Sequence, residues 1–333
     1  MIPSATPLAQ PTDWRQIYRE SAISAADLLR SLGLTVDAAD LAEADAGFPL
    51  RVPAPFRARM RYGDPNDPLL RQVLPRVEET QRVAGFELDA VGDLSSRGGA
   101  GLLHKYHGRV LLIATGSCAI HCRYCFRRHF PYGEELAAKQ QWSQTIDYLR
   151  EHPDVTEVIL SGGDPLALST SKLFELTEQL ASLGSVRRIR IHTRLPVVLP
   201  QRVDAELLAW LAALPWPVTM VLHINHAQEI DSEVGQVCAR LRQAGVHLLN
   251  QAVLLRAVND RVEALLELSE ALWSAGVLPY YLHLLDRVQG AAHFEVPETE
   301  ARRLYAELRR QLPGYLVPRL ARETAGEPHK TWL

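Results

Sequence analysis

Three cysteines crowd into eight residues, Cys118, Cys122 and Cys125 in the string TGSCAIHCRYCFRRHF. Three thiolates at C-x3-C-x2-C spacing can hold a 4Fe-4S cluster while leaving one iron without a protein ligand. Such an open iron can chelate the amino and carboxylate groups of S-adenosylmethionine (SAM) and pass one electron to its sulfonium. Two other readings share the pattern. One is a zinc knuckle completed by His121 or His129, irregular beside the paired spacing that structural zinc prefers; the other is three unrelated buried thiols. Cys238 falls at an apolar position of an expected helix and reads as a buried free thiol. Cysteines placed this way do not form a secreted disulfide framework and point to metal chemistry in a reducing compartment.

The cysteines must be held by something, and the surrounding sequence supplies a regular series. From Arg109 onward, short apolar or β-branched runs alternate with segments of helical period. The runs are RVLLIAT, VTEVILS, RRIRIHT, VTMVLHI, VHLLNQAVLL and YYLHLL, starting at Arg109, Val155, Arg187, Val218, Val246 and Tyr280. Between them lie QWSQTIDYLREH, SKLFELTEQLASLG, DAELLAWLAALP, SEVGQVCARLRQAG and VEALLELSEALWSAG, several closing on glycine as a helix C-terminus does. The spacing of roughly thirty residues is that of a βα repeat. Six units predict an α/β fold, a parallel sheet curled by right-handed crossovers into a partial (β/α)6-type barrel. Ligands of such sheets gather at the C-terminal strand ends, and the polar oddities fall there: Cys118, SGGD at Ser161 to Asp164, His192 to Arg194, HINH, the NQ pair and Asp286.

Ahead of the barrel, the spacing predicts a helix over 13–32 and another near 69–82 in a Pro- and Gly-punctuated accessory region. The expected organisation is an accessory region over 1–100, a barrel over 101–300 and a C-terminal segment over 301–333. With 333 residues, 47% of them hydrophobic, the chain can bury a large core. A net charge of -3 and a pI near 6.5 give no general basic surface for nucleic acid or an anionic membrane. The sequence MIPSATPLAQPTDW has no basic-then-apolar leader pattern, and no run reaches eighteen apolar residues, so a cytoplasmic protein is expected.

A cysteine triad followed by an aromatic residue, on the first strand-loop of a βα series, resembles the radical SAM superfamily. The strings HKYHGRVLLIATGSCAIHCRYCFRRHF, VILSGGDPL, HINH, NQAVLLRAVND, PYYLHLLD and GYLVPRLARETAGEPHKT are similar to those of lysine 2,3-aminomutases. The likeness runs from about His104 to Lys330, and the short C-terminus most resembles the elongation factor P β-lysylation branch. This resemblance implies an isomerase using a 4Fe-4S cluster on Cys118, Cys122 and Cys125, SAM, and pyridoxal 5'-phosphate. It implies that Ser161, Gly162, Gly163 and Asp164, with His223 and Gln251, face SAM. Two glycines there would let backbone approach a ligand where a Cβ would collide.

The same resemblance implies that Lys330 carries the pyridoxal phosphate and that Arg109, Lys105 and Tyr106 meet its phosphate or ring. His104 would join that run. Lys105 stands where the family has arginine, keeping charge but losing the two-pronged donor. Arg127 would pair with the substrate carboxylate, and Asp286 and Glu323 with the ε-ammonium of lysine; Glu323 replaces the family's aspartate. On the residues alone, Lys330 reads as a solvated tail lysine and the charged groups as surface ion pairs, and it is the resemblance that reverses this. The implied reaction converts (S)-α-lysine to (R)-β-lysine: a SAM-derived radical takes hydrogen from C3, and the amino group moves from C2 to C3. Implied partners are lysine, a one-electron donor such as flavodoxin or ferredoxin, and elongation factor P with its lysine ligase; homo-oligomerisation is left open. Three alternatives remain: an aminomutase acting on glutamate or arginine, a radical SAM enzyme without pyridoxal phosphate in which Lys330 is merely a tail, or a non-catalytic metal-binding module that recognises elongation factor P.

Overall fold

A computed structural model describes residues 13–35, 47–99, 101–133 and 142–333. The leader-free reading of the N-terminus and part of the accessory region lie outside these residues. Ten strands form one sheet in which neighbours in space are neighbours in sequence. They are β1 (Arg97–Gly99), β2 (Leu102–Tyr106), β3 (Arg109–Thr115), β4 (Glu157–Gly162), β5 (Arg188–Thr193), β6 (Val218–His223), β7 (His247–Val253), β8 (Leu278–His283), β9 (Arg319–Arg322) and β10 (Thr331–Trp332). From β3 to β9 every pairing is parallel, whereas β1–β2, β2–β3 and β9–β10 are antiparallel. The sheet is therefore an open parallel barrel with a hairpin added at each edge.

All six expected strands form, and the amphipathic stretches between them become α3 (Ser143–Glu151), α4 (Thr170–Ala181), α5 (Ala205–Ala213), α6 (Ser232–Gln243) and α7 (Val262–Ser274) after an N-terminal pair, α1 (Trp14–Arg19) and α2 (Ala25–Ser31). Gly245 and Gly276 end α6 and α7 at φ of 83° and 73°, a left-handed turn that glycine adopts without strain. A seventh parallel strand, β9, is added through α8 (Glu298–Gln311). It went unseen because β9 is four residues long and α8 buries only Ala301, Leu304 and Leu308 under a largely charged surface.

The accessory region departs further from expectation. The helix predicted over 13–32 is two, α1 (Trp14–Arg19) and α2 (Ala25–Ser31), because Ser24 leaves helical geometry and caps α2 by accepting from the Asp27 N–H at 3.0 Å. The helix predicted near 69–82 shrinks to one turn, Pro68–Arg71, and a 3-10 turn, Val77–Thr80, separated by Pro75, which cannot donate to the helical ladder. These short pieces still pack on the barrel: one contiguous core contains Trp14, Leu28 and Phe56 together with Leu112, Leu160 and Leu320. No described helix is long and apolar enough to cross a membrane.

Candidate active site

The inner face of the barrel encloses a cavity of about 1120 Å³ that runs from the N-terminal halves of the strands, at Arg109, Glu157 and Tyr280, to the loops beyond the strand ends. Every cofactor- and substrate-site residue named from the sequence lines it except His104, whose ring bonds Tyr148 at 2.8 Å on the far side of β2. Strand alternation explains the division. Lys105 and Tyr106 sit where β2 ends in a bulge against β3, so both turn toward the interior.

Cys118, Cys122 and Cys125 lie in the loop leaving β3, and all three border the cavity. Burial pushes the Cys118 thiol well above its ordinary range, with Asp164 and the other two sulfurs adding to the shift; burial and Cys122 push Cys125 to about 11. Thiols that disfavour one another's ionisation call for a multivalent cation to hold them as thiolates. The zinc alternative lacks its fourth ligand. His121 Nδ1 bonds the Pro49 carbonyl at 2.6 Å and His129 Nε2 the Gln289 carbonyl at 3.0 Å, and neither ring borders the cavity. Among the described residues no three His, Cys, Asp or Glu side chains close round a single ion. A cluster makes a looser demand, because each thiolate binds a different iron.

The SGGD turn is welded to this loop. Gly163 N–H donates to Thr115 O at 2.6 Å and Asp164 N–H to Ser117 O at 2.9 Å. A Cβ on Gly162, at φ 113°, would stand 2.6 Å from Thr115 O, and one on Gly163 would stand 2.5 Å from Ser117 O. The collision that requires glycine is thus with the chain's own cysteine loop, which corrects the expectation that a ligand imposes it. Asp164 is likewise spent on the fold. Its Oδ1 accepts from Leu166 N–H and the Thr193 hydroxyl, its Oδ2 from Arg194 N–H and Leu195 N–H, at 2.7 to 3.1 Å. Four donors fill a carboxylate's four lone-pair directions, so Asp164 ties the β4 loop to the β5 loop and leaves a ligand's ammonium to other acceptors.

The charged side chains form one connected network. Asp93, in the accessory region and 2% exposed, accepts from Arg127 Nε at 2.7 Å and from Lys105 Nζ at 2.7 Å. Burial alone would raise the Asp93 carboxyl, but these two cations hold it below the ordinary carboxylate range. Arg127 Nη1 donates to Ser161 Oγ at 3.1 Å. Lys105 also donates to Val91 O at 2.7 Å and faces Glu323 at 3.7 Å, so its ammonium is turned to oxygen acceptors already present. Arg109 differs: its guanidinium lies 4.6 Å from the Tyr106 ring centre, and no described carboxylate comes within ion-pair distance. Arg190, across the cavity, is paired with Glu157 at 2.9 Å.

At the C-terminal edge, β10 pairs Thr331 with Arg322 and so sets Lys330 beside Glu323. The Lys330 ammonium contacts Glu323 Oε2, while Glu323 Oε1 accepts from the Tyr106 hydroxyl at 2.6 Å. The tail-lysine reading therefore gives way to a lysine anchored inside the barrel mouth. Asp286, following β8, carries a carboxyl that burial pushes up to about 7; Lys330 pulls it down and Glu323 pushes it up. His223 and Gln251 touch, Nε2 to Nε2 at 3.0 Å. Burial holds the His223 pKa down to about 3, with Arg194 and Arg127 adding, so its ring is neutral and Nε2 can accept from the Gln251 amide.

Sequence reasoning missed Asp93 and the partners of Arg194, which are Gln72 and Glu229. Their only signal was a shortage of acids near the buried arginines of the cysteine loop.

Residues 112–269 match the Radical SAM superfamily. The chain is 48% identical over 323 residues to an L-lysine 2,3-aminomutase of Escherichia coli strain K12, covering 96% of this chain and 94% of that one. It is 43% identical over 334 residues to the protein of the same name from Haemophilus influenzae, covering 99% and 98%. The Clostridium subterminale L-lysine 2,3-aminomutase is 34% identical over 321 residues, covering 96% of this chain and 77% of that one. On this sequence match, and with the cysteine triad facing the barrel cavity, the chain belongs to the lysine 2,3-aminomutase family of radical SAM isomerases.

Proposed function

We propose that this protein is a pyridoxal phosphate-dependent lysine 2,3-aminomutase that converts (S)-α-lysine to (R)-β-lysine, for modification of elongation factor P in the cytoplasm. The observation that carries the substrate assignment is the pair of carboxyl groups at the cavity mouth, Asp286 and Glu323, one of which already holds a lysine ammonium, that of Lys330. Two acids there attract a cationic side chain and repel an acidic one, which disfavours glutamate.

When bound, SAM would supply a 5'-deoxyadenosyl radical on one-electron reduction at the cluster, and pyridoxal phosphate would supply the π-system across which nitrogen migrates. The chain's own residues do the positioning. Cys118, Cys122 and Cys125 would hold the cluster. Lys330 would supply the amine for pyridoxal phosphate, and Arg109, whose charge no described carboxylate offsets, is the side chain best suited to its phosphate. Arg127, fixed through Nε by Asp93, presents Nη2 without a described partner to a substrate carboxylate. Holding lysine at both ends, by Arg127 and by Asp286 with Glu323, restricts which carbon faces the radical.

Anaerobic incubation of reconstituted protein with SAM, pyridoxal phosphate, dithionite and (S)-α-lysine should yield β-lysine, with turnover that requires SAM. A parallel panel with glutamate and arginine decides the substrate, and turnover of glutamate without lysine would reject the assignment. The link to elongation factor P is tested by offering the product and that factor to its lysine ligase.

A further inference from the structure

Arg194 follows β5 and is buried, yet it is not one of the residues that meet substrate or the proposed pyridoxal phosphate. Its Nη1 lies 2.7 Å from Cys122 Sγ and 2.8 Å from the Tyr124 hydroxyl. Its Nη2 donates to Gln72 Oε1 at 2.7 Å and Glu229 Oε2 at 2.9 Å. Glu229 and Gln72 are fully buried, and each is held in turn: Glu229 Oε1 accepts from Asn225 N–H, His226 N–H and Gln72 Nε2. Phe56 covers the guanidinium at 5.3 Å. The cation is therefore clamped from the accessory region and from the turn after β6, with one donor aimed at a cysteine sulfur.

Of the three cysteines, only Cys122 has a charged donor at its sulfur among the described hydrogen bonds. We propose that Arg194 is a positioning residue that donates a charge-assisted hydrogen bond to the Cys122 thiolate and thereby sets the reduction potential of the iron-sulfur cluster. A donor at a ligand sulfur withdraws electron density and favours the reduced cluster, which carries one more negative charge. Guanidinium suits this role because it stays protonated throughout and does not exchange its proton with the chemistry. The step affected is the transfer of one electron from an external reductant into the cluster, with no bond made or broken at Arg194. This inference rests on the reading of the cysteines as a cluster site.

The test is a mediated redox titration of the anaerobically reconstituted full chain, followed by electron paramagnetic resonance, on wild type and Arg194→Gln. Iron and sulfide analysis comes first: a wild type without cluster would sink the cluster reading itself and is thereby told apart from failure of this inference. With cluster present in both, the Arg194→Gln midpoint is expected to fall so that the reduction equilibrium shifts at least tenfold toward the oxidised form, about 59 mV for one electron. An unchanged or raised midpoint overturns the proposal. Should the variant fail to fold, wild type grown on isotopically labelled arginine answers the same question. Hyperfine coupling from a guanidino nitrogen to the reduced cluster is expected, and its absence overturns the proposal.

Discussion

Asp286 offers the sharpest test of how the site would recognise its substrate. Burial raises its carboxyl to about 7 even though the Lys330 ammonium is close enough to lower it. At pH 6.5 a group with that pKa keeps about three quarters of its proton, and removing the proton costs about 0.7 kcal/mol. An ammonium arriving about 4 Å away, at the effective dielectric of a partly open cavity, is attracted by roughly 4 kcal/mol. Attraction exceeds cost, so docking an ε-ammonium should drive the proton out. Calorimetric titration of lysine into the protein at pH 6.5, in two buffers of different ionisation enthalpy, counts the protons released. The wild type should release about three quarters of a proton per site more than Asp286→Asn, and the difference should vanish at pH 8.5, where the carboxyl is already ionised. Equal proton counts for the two proteins at pH 6.5 would refute the reasoning, because Asp286 would then not be the group that answers the ammonium.

The same carboxyl fixes the sign of a stability change. Its folded pKa lies above the unfolded value of 3.8, so its ionisation costs the native state nothing at pH well below 3.8 and most above 7. Wild type should therefore lose stability relative to Asp286→Asn as pH rises from 5 to 8, by about 2 kcal/mol once allowance is made for the water an open cavity admits. Denaturant melts at the two pH values check it. Asp93→Asn removes the shared counter-charge of Arg127 and Lys105, and breaking a buried pair of this kind costs roughly 3 to 5 kcal/mol. Thermal unfolding should register that loss, and steady-state kinetics should show the KM for lysine rising more than kcat falls. Gly163→Ala would press a methyl against Ser117 O and displace the cysteine loop, so iron bound per chain should drop while α-helical circular dichroism is retained. If Lys330 holds pyridoxal phosphate as proposed, Lys330→Ala should abolish the visible absorbance of the covalent cofactor without reducing iron content.

What could be read from the sequence was whatever depends on local pattern. Each strand from β3 to β8 declares itself in a run of six or seven residues rich in apolar or β-branched side chains, and each intervening helix in its period, because a parallel sheet and one face of its helices must be largely buried. The cysteine loop and the strand-end polar groups were legible for a related reason, since strand ends put them together whatever the partners, whereas Lys330 was singled out by the family resemblance alone. The seventh unit escaped because its strand is short and its helix mostly solvated. The helix expected near 69–82 failed because Pro75 outweighed a favourable apolar spacing. The roles given to the SGGD glycines and Asp164 needed tertiary knowledge, since the atoms that constrain them, Thr115 O, Ser117 O and the amides of Arg194 and Leu195, lie in other loops.

The accessory region shows where such knowledge could have been anticipated. From Thr115 to Gly133 the chain contains Arg123, Arg127 and Arg128 and no acid. The structure buries all three guanidinium groups, and a buried cation without a counter-charge would cost several kcal/mol. Acids must therefore come from elsewhere, and they come from the accessory region. Glu79 pairs with Arg123 and with Arg128, the latter at 2.8 Å, and Asp93 pairs with Arg127. Gln72, from the same region, accepts from Arg194. The irregular segment ahead of the barrel thus owes its position to charge more than to helical periodicity. A truncation that spared every barrel residue but removed it would leave four buried arginines short of acceptors at the loop meant to hold the cluster. That loop, rather than the sheet, is then the part expected to lose its order first.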